Sequence, residues 1–156
     1  MNDFNIHLIN AVIDSKDGKV DLFYEPGNLS ISYLKRDKQP SKKEVRITKL
    51  STFMKENNIR TIDTTKIDVE GFESNVLKGL EGKLEEKFSL MLLEVLNDET
   101  GKKIEELINR HYLIFHIDES GKIVRKNTIR RVSGISRNYL LCKPSIAKKL
   151  GLGEIQ

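Results

Sequence analysis

An α/β layered domain with a largely parallel sheet is the fold this sequence predicts, and three observations carry the prediction. From residue 62 onward, short apolar or β-branched runs alternate with segments of helical period. The run SLMLLEVL (89–96) is almost continuously apolar, as expected of a parallel strand covered on both faces. The chain has 156 residues, about the length of one domain, and shows no internal repeat, low-complexity tract or linker.

Taken in order, IHLINAVI (6–13) is apolar and rich in β-branched residues, so it predicts a buried strand. DSKDG supplies a turn, KVDLFY alternates as a strand does, and PGN (26–28) breaks the chain before LSISYL, another alternating run. Residues 35–44 are polar, contain Pro40 and read as an exposed loop. VRITKL is a fourth short strand leading into a helix near 50–58. IDTTKIDV (62–69) is a strand. Phe72, Val76, Leu77 and Leu80 then share one helical face, with Gly79 and Gly82 marking its end. After SLMLLEVL, Ile104, Leu107 and Ile108 recur at helical spacing behind Asn97 or Asp98 as N-cap. YLIFHI is a strand, DESGK a tight turn and KIV its partner. A basic connection leads to NYLLCK, the last strand, and the tail KKLGLGEIQ is expected to fray.

Composition narrows the class. With 38% hydrophobic and 32% charged residues the chain can bury one core. No apolar run approaches the ~20 residues of a membrane helix, and MNDFNIHLINAVID lacks a basic region before its apolar stretch, so neither a membrane nor a signal peptide is expected. Cys142, the single cysteine, lies in apolar YLLC; it reads as a buried structural thiol, and a reducing cytoplasm fits it. The net charge is +4, and the basic residues gather in two stretches, 35–46 and 122–137, neither interleaved with aromatics for base stacking. Both read as solvated surface, although the second could help hold an anionic substrate. No nucleic-acid partner is expected.

The chemistry concentrates in TKIDVEGFESNVLKGL (65–80). Asp68 and Glu70 stand where an apolar strand turns into a helix, Glu73 lies in that helix's first turn, and Glu94 interrupts the next apolar strand near its carboxyl end. In open α/β sheets ligands bind outside the carboxyl ends of the strands, so adjacent parallel strands would bring all four acids to one crevice. The helix macrodipole alone accounts for Glu73 and partly for Glu70. It accounts poorly for Asp68 and Glu94, because a carboxylate against a buried strand must be paired or solvated.

The stretch TTKIDVEGFESNVLKGLEGKLEEKFSLMLLEV resembles the signature of the FkbM family of S-adenosylmethionine-dependent methyltransferases. INAVIDSKDGKVDLFY, VRITKLSTFMKENNI (with Ser51 where the family usually has Asp) and RNYLLCK are similar to further elements of it. The resemblance implies a partial class I methyltransferase (Rossmann-like) sheet, mostly parallel, with an antiparallel last strand and an added β-hairpin. Residues 1–146 would form one truncated methyltransferase-like domain and 147–156 a flexible tail. It implies S-adenosyl-L-methionine as cofactor and a sugar or other small hydroxylated acceptor, with Asp68 and Glu70 as catalytic carboxylates, Glu73 and Glu94 lining the acceptor pocket, and Asn10 and Ala11 beside the adenine. No metal is implied.

The family's first two strands should end in a glycine-rich turn for the methionine part of the cofactor and in an acid for the ribose. The sequence begins after both; the G-x-G at Gly151–Gly153 has no strand-to-helix context. Met1 therefore reads as an internal start. Because those strands lie between the third and fourth of the sheet, their lack would leave the fourth with an open edge. The expected outcomes are a changed strand pairing, a dimer through that edge, or completion by a separate N-terminal fragment. A non-catalytic remnant that only binds a partner is the competing reading; a polyanion-binding protein is a third, which the acidic crevice opposes.

Overall fold

A computed structural model of the chain describes residues 5–24, 31–32, 41–108, 110–131 and 136–152. Val12–Asp14 (β1), Gly18–Tyr24 (β2), Ile31–Ser32 (β3) and Ser41–Lys49 (β4) form a first sheet in the order β1-β4-β2-β3. The pair β1/β4 is parallel, whereas β4/β2 and β2/β3 are antiparallel. Leu50–Glu56 (α1) follows β4 directly. The second sheet joins Ile62–Ile67 (β5), Phe88–Glu94 (β6), Leu113–Ile117 (β7), Ile123–Lys126 (β8) and Asn138–Cys142 (β9) in the order β5-β6-β9-β7-β8. Helices Glu73–Lys78 (α2) and Leu84–Lys87 (α3) connect β5 to β6, Asp98–Ile108 (α4) precedes β7, and Pro144–Lys149 (α5) follows β9.

The mixed α/β class, the hairpins and the antiparallel last strand match the sequence reading, and the largely parallel sheet is met only in part. Parallel pairing occurs at β1/β4 and β5/β6, and the second sheet is mixed. Strands β6 and β7 both run antiparallel to β9, so β5, β6 and β7 still share one direction. Their carboxyl ends therefore lie along one border of the sheet.

Both faces of β6 are covered, as its continuous apolarity predicts. Phe88, Met91 and Leu93 enter the main core with Val76, Leu77 and Leu80 from the α2 region and Ile104 and Ile108 of α4. Leu90 packs on the opposite face with Phe115, Leu140, Cys142 and Ala147. Burying a side chain of this size stabilises by roughly 1.5–3 kcal/mol. Asn97 is the N-cap of α4, its Oδ1 accepting the Thr100 N–H at 2.8 Å. Tyr112 Oη is bonded to the carbonyls of Leu84 and Phe88 at 3.0 and 2.9 Å, and burial pushes its pKa up to about 12.

Four further differences have local causes. IHLINAVI does not form a strand throughout: residues 5–10 carry no regular structure, with Leu8 94% exposed, and β1 begins only at Val12. Nothing among the described residues pairs with this segment, so its apolar character finds no surface to cover. The polar stretch read as loop to residue 44 is already strand from Ser41, because Ser41 to Ile47 of β4 pair with β2; residues 35–40 and most of LSISYL lie outside the described residues. Of the tail expected to fray, Lys148 and Lys149 end the helix that Pro144 opens and Leu152 packs on the second cluster, while residues 153–156 lie outside the described residues. The short helix α3 was not expected from the sequence. Among the described residues no helix is long and apolar enough to cross a membrane.

Candidate active site

The border formed by the carboxyl ends of β5 and β6 carries the acids singled out in the sequence. These strands pair in parallel with Ile67 opposite Leu93, so the next residues, Asp68 and Glu94, stand side by side. Each carboxyl bears on the other's proton affinity. Alternation along β5 puts Lys66 on the same side as Asp68, and its Nζ reaches Asp68 Oδ2 at 2.5 Å. From the other side Arg137, just before β9, places Nη1 3.9 Å from Glu94 Oε1. The Arg137 carbonyl is fixed there by the Val95 N–H at 2.8 Å.

This arrangement separates the proton affinities of the two carboxyls. The hydrogen bond from Lys66 is the main cause that holds Asp68 below the usual aspartate range, with desolvation opposing it. Desolvation is the main cause that raises Glu94, reinforced by the Asp68 hydrogen bond and charge and countered by Arg137. Two adjacent carboxyl groups pushed apart in this way can hold one proton between them while one remains an acceptor.

Glu70 lies in the turn after Asp68 with φ +54°, followed by Gly71 at φ +96°. Its charge contributes to raising Glu94. Glu73 is placed differently: it is fully buried at the start of α2, its Oε1 accepting the N–H groups of Val69 at 3.2 Å and Gly71 at 3.1 Å. The structure thus brings Asp68, Glu70 and Glu94 together and sets Glu73 beneath the turn. Asn10 is exposed and Ala11 half-buried, both ahead of β1 and not at the carboxyl end of a strand. From that segment only Ile13 lines the cleft beside the acids.

That cleft, about 390 Å³, is walled by Ile13, Leu50, Ile67 and Val76, with Asp68 and Val69 at its rim. One wall is the edge of β5 that no described strand covers. Farther along the border, buried His116 at the end of β7 lies 3.2 Å from Ser136 Oγ, while that hydroxyl donates to the Ile117 carbonyl at 2.7 Å. The hydroxyl proton is engaged with a carbonyl, so this pair ties down the chain entering β9 and does not form a nucleophile with its base.

Lys66 and Arg137 were missed as site residues. Lys66 was legible, since a residue two positions before Asp68 in a strand shares its face. Arg137 was not, because only the β6/β9 register, Glu94 opposite Asn138, brings it near.

Comparison with family models matches residues 5–119, more than half of the chain, to the methyltransferase FkbM domain. Neither the curated proteins nor the solved structures compared with the chain include a match. With its IDVEG turn at the carboxyl end of β5 and with that match, the chain belongs to the FkbM methyltransferase domain family.

Proposed function

We propose that this chain carries the acceptor side of an S-adenosylmethionine-dependent O-methyl transfer site, on a partial Rossmann-like scaffold, acting on a sugar or other small hydroxylated metabolite. The observation that carries the reading is the Asp68–Glu94 pair, set at two neighbouring strand ends and split in proton affinity by Lys66 and burial. The residues fit the cofactor in part. A sulfonium cation is favoured beside carboxylates, but no glycine-rich strand-to-helix turn occurs among the described residues. When bound, S-adenosylmethionine supplies an electrophilic methyl group.

The chain's own residues handle the acceptor. Asp68, held ionised by Lys66, accepts the acceptor's hydroxyl proton as its oxygen forms the new bond to carbon. Glu94, which holds a proton to higher pH than an ordinary glutamate, stands beside Asp68 and can share that proton with it. Glu70, in the turn between Asp68 and α2, orients the acceptor. Asn10 and Ala11 remain the assigned neighbours of the adenine. The lone buried thiol, Cys142, supports a cytoplasmic setting.

A second reading has its own observation. The uncovered edge of β5, beside an open cleft, favours a non-catalytic module completed by another polypeptide, either a second copy or a complementing N-terminal fragment. Calorimetry with S-adenosylmethionine, followed by transfer of labelled methyl to a panel of hydroxylated sugars, separates the two. Binding and transfer are expected under the first reading, with Asp68→Asn lowering turnover by about 100-fold or more. No binding at millimolar cofactor leaves the second, and unchanged kinetics in Asp68→Asn removes Asp68 from the chemistry.

A further inference from the structure

Glu73 is the most deeply buried carboxylate described in the molecule, and its Oε2 has no hydrogen-bond partner among the described atoms. A buried, half-satisfied carboxylate costs stability, so its place calls for a reason. The macrodipole of α2 supplies little of one, because the amides that Glu73 Oε1 takes belong to Val69 and Gly71, ahead of the helix. Those amides flank Glu70, whose φ of +54° is followed by +96° at Gly71. Left-handed backbone costs a non-glycine residue roughly 1–2 kcal/mol and persists only where neighbours hold it. A Cβ on Gly71 would meet nothing within 4 Å, so the backbone angle and not crowding calls for glycine there. The turn also rests on α4, where Thr100 Oγ1 lies 3.4 Å from the Gly71 carbonyl.

We infer that Glu73 is a positioning residue: its buried carboxylate grips the Val69 and Gly71 amides and so fixes the left-handed turn that sets Asp68 against Glu94 and Glu70 on the rim. A shorter or apolar side chain at 73 leaves the two amides without an acceptor and frees the turn to relax toward ordinary φ. Asp68 then loses its fixed approach to Glu94, while both remain in the chain. The consequence for catalysis rests on the acceptor-side reading of Asp68; the placement itself does not.

The test therefore uses the full chain with no cofactor or acceptor, so that its failure and the failure of the methyl-transfer reading are distinct. Amide hydrogen exchange at Val69 and Gly71 is measured alongside carboxyl ¹³C titrations of Asp68 and Glu94. In Glu73→Ala, exchange at the two amides is expected to quicken about tenfold or more. Amides of β6 and β9 should hold, and the titrations of Asp68 and Glu94 should move together toward ordinary values. Glu73→Gln keeps an acceptor oxygen and is expected to stay within about threefold of the parent exchange rates. Unchanged exchange and titration in folded Glu73→Ala overturn the inference, as does a Glu73→Gln protein that exchanges as fast as Glu73→Ala. Should Glu73→Ala fail to fold, Glu73→Asp, one methylene too short to reach both amides, is read by the same criterion.

Discussion

Asp68 and Glu94 are a small example of chemistry made by placement, since each would titrate ordinarily if exposed and alone. Lys66 keeps Asp68 ionised, and its contribution to stability is present above the unfolded aspartate value and lost as pH falls through the lowered native one. Glu94 has the opposite sign. Its raised pKa favours the fold when protonated, and that contribution is lost as pH rises through the native value. Once the pH has passed that native value, the ionised Glu94 is therefore a mild liability. Glu94→Gln is expected to raise the melting temperature at pH 7, by the equivalent of no more than about 1 kcal/mol given the site's partial exposure. The difference should shrink near about pH 4, where protonation already does the same work. Paired thermal melts at the two pH values check this, and a lower melting temperature at pH 7 would contradict it.

At the scale of elements, two glycines decide how helices approach their neighbours. A Cβ on Gly79, which ends α2, would stand 2.5 Å from the Asp14 carbonyl and 3.0 Å from Leu50 N. This contact joins the first sheet to the second, and the Ser51 N–H bonds the Gly79 carbonyl at 3.0 Å in the same place. Gly101 within α4 is as constrained, its added Cβ lying 2.4 Å from the Ile129 carbonyl. Each obstacle is backbone and cannot swing aside. Gly79→Ala and Gly101→Ala are each expected to destabilise by about 1–3 kcal/mol, measured by urea titration. Gly82→Ala serves as the contrast, since its Cβ would meet nothing and only its φ of +80° opposes the change. Gly79 was legible as a helix end. Its role as the seam between sheets was not, because the sequence does not show that Asp14 passes there.

At the scale of the whole molecule, the least covered part among the described residues is a region and not a residue. The uncovered edge of β5, the cleft beside it and the exposed apolar residues Ile6, Leu8 and Ile9 lie in the parts of the chain that precede or border the acidic turn. Exposed strand edges and apolar segments promote association. Light scattering across a concentration series is expected to show self-association that a triple Ile6→Ser, Leu8→Ser, Ile9→Ser variant reduces. A parent protein that stays monomeric throughout would count against it. The cluster of buried side chains around β6 and β9 is unaffected by that change, so the melting temperature should move little.

By itself the sequence determined the family, the mixed α/β class, the acids of the strand-to-helix turn and the covered character of β6. All of these depend on residues close together in the chain: periodicity, a glycine after two acids, an unbroken apolar run. The tertiary structure alone decided the rest. Strand order and direction depend on pairing between distant segments, and so does the division into two sheets. Arg137 reaches Glu94 only through the register of β9 on β6. Glu73 shows the difference most directly. Its spacing in VEGFES suits a wall of the pocket as well as a support beneath it, and burial under a left-handed turn settled where the side chain lies.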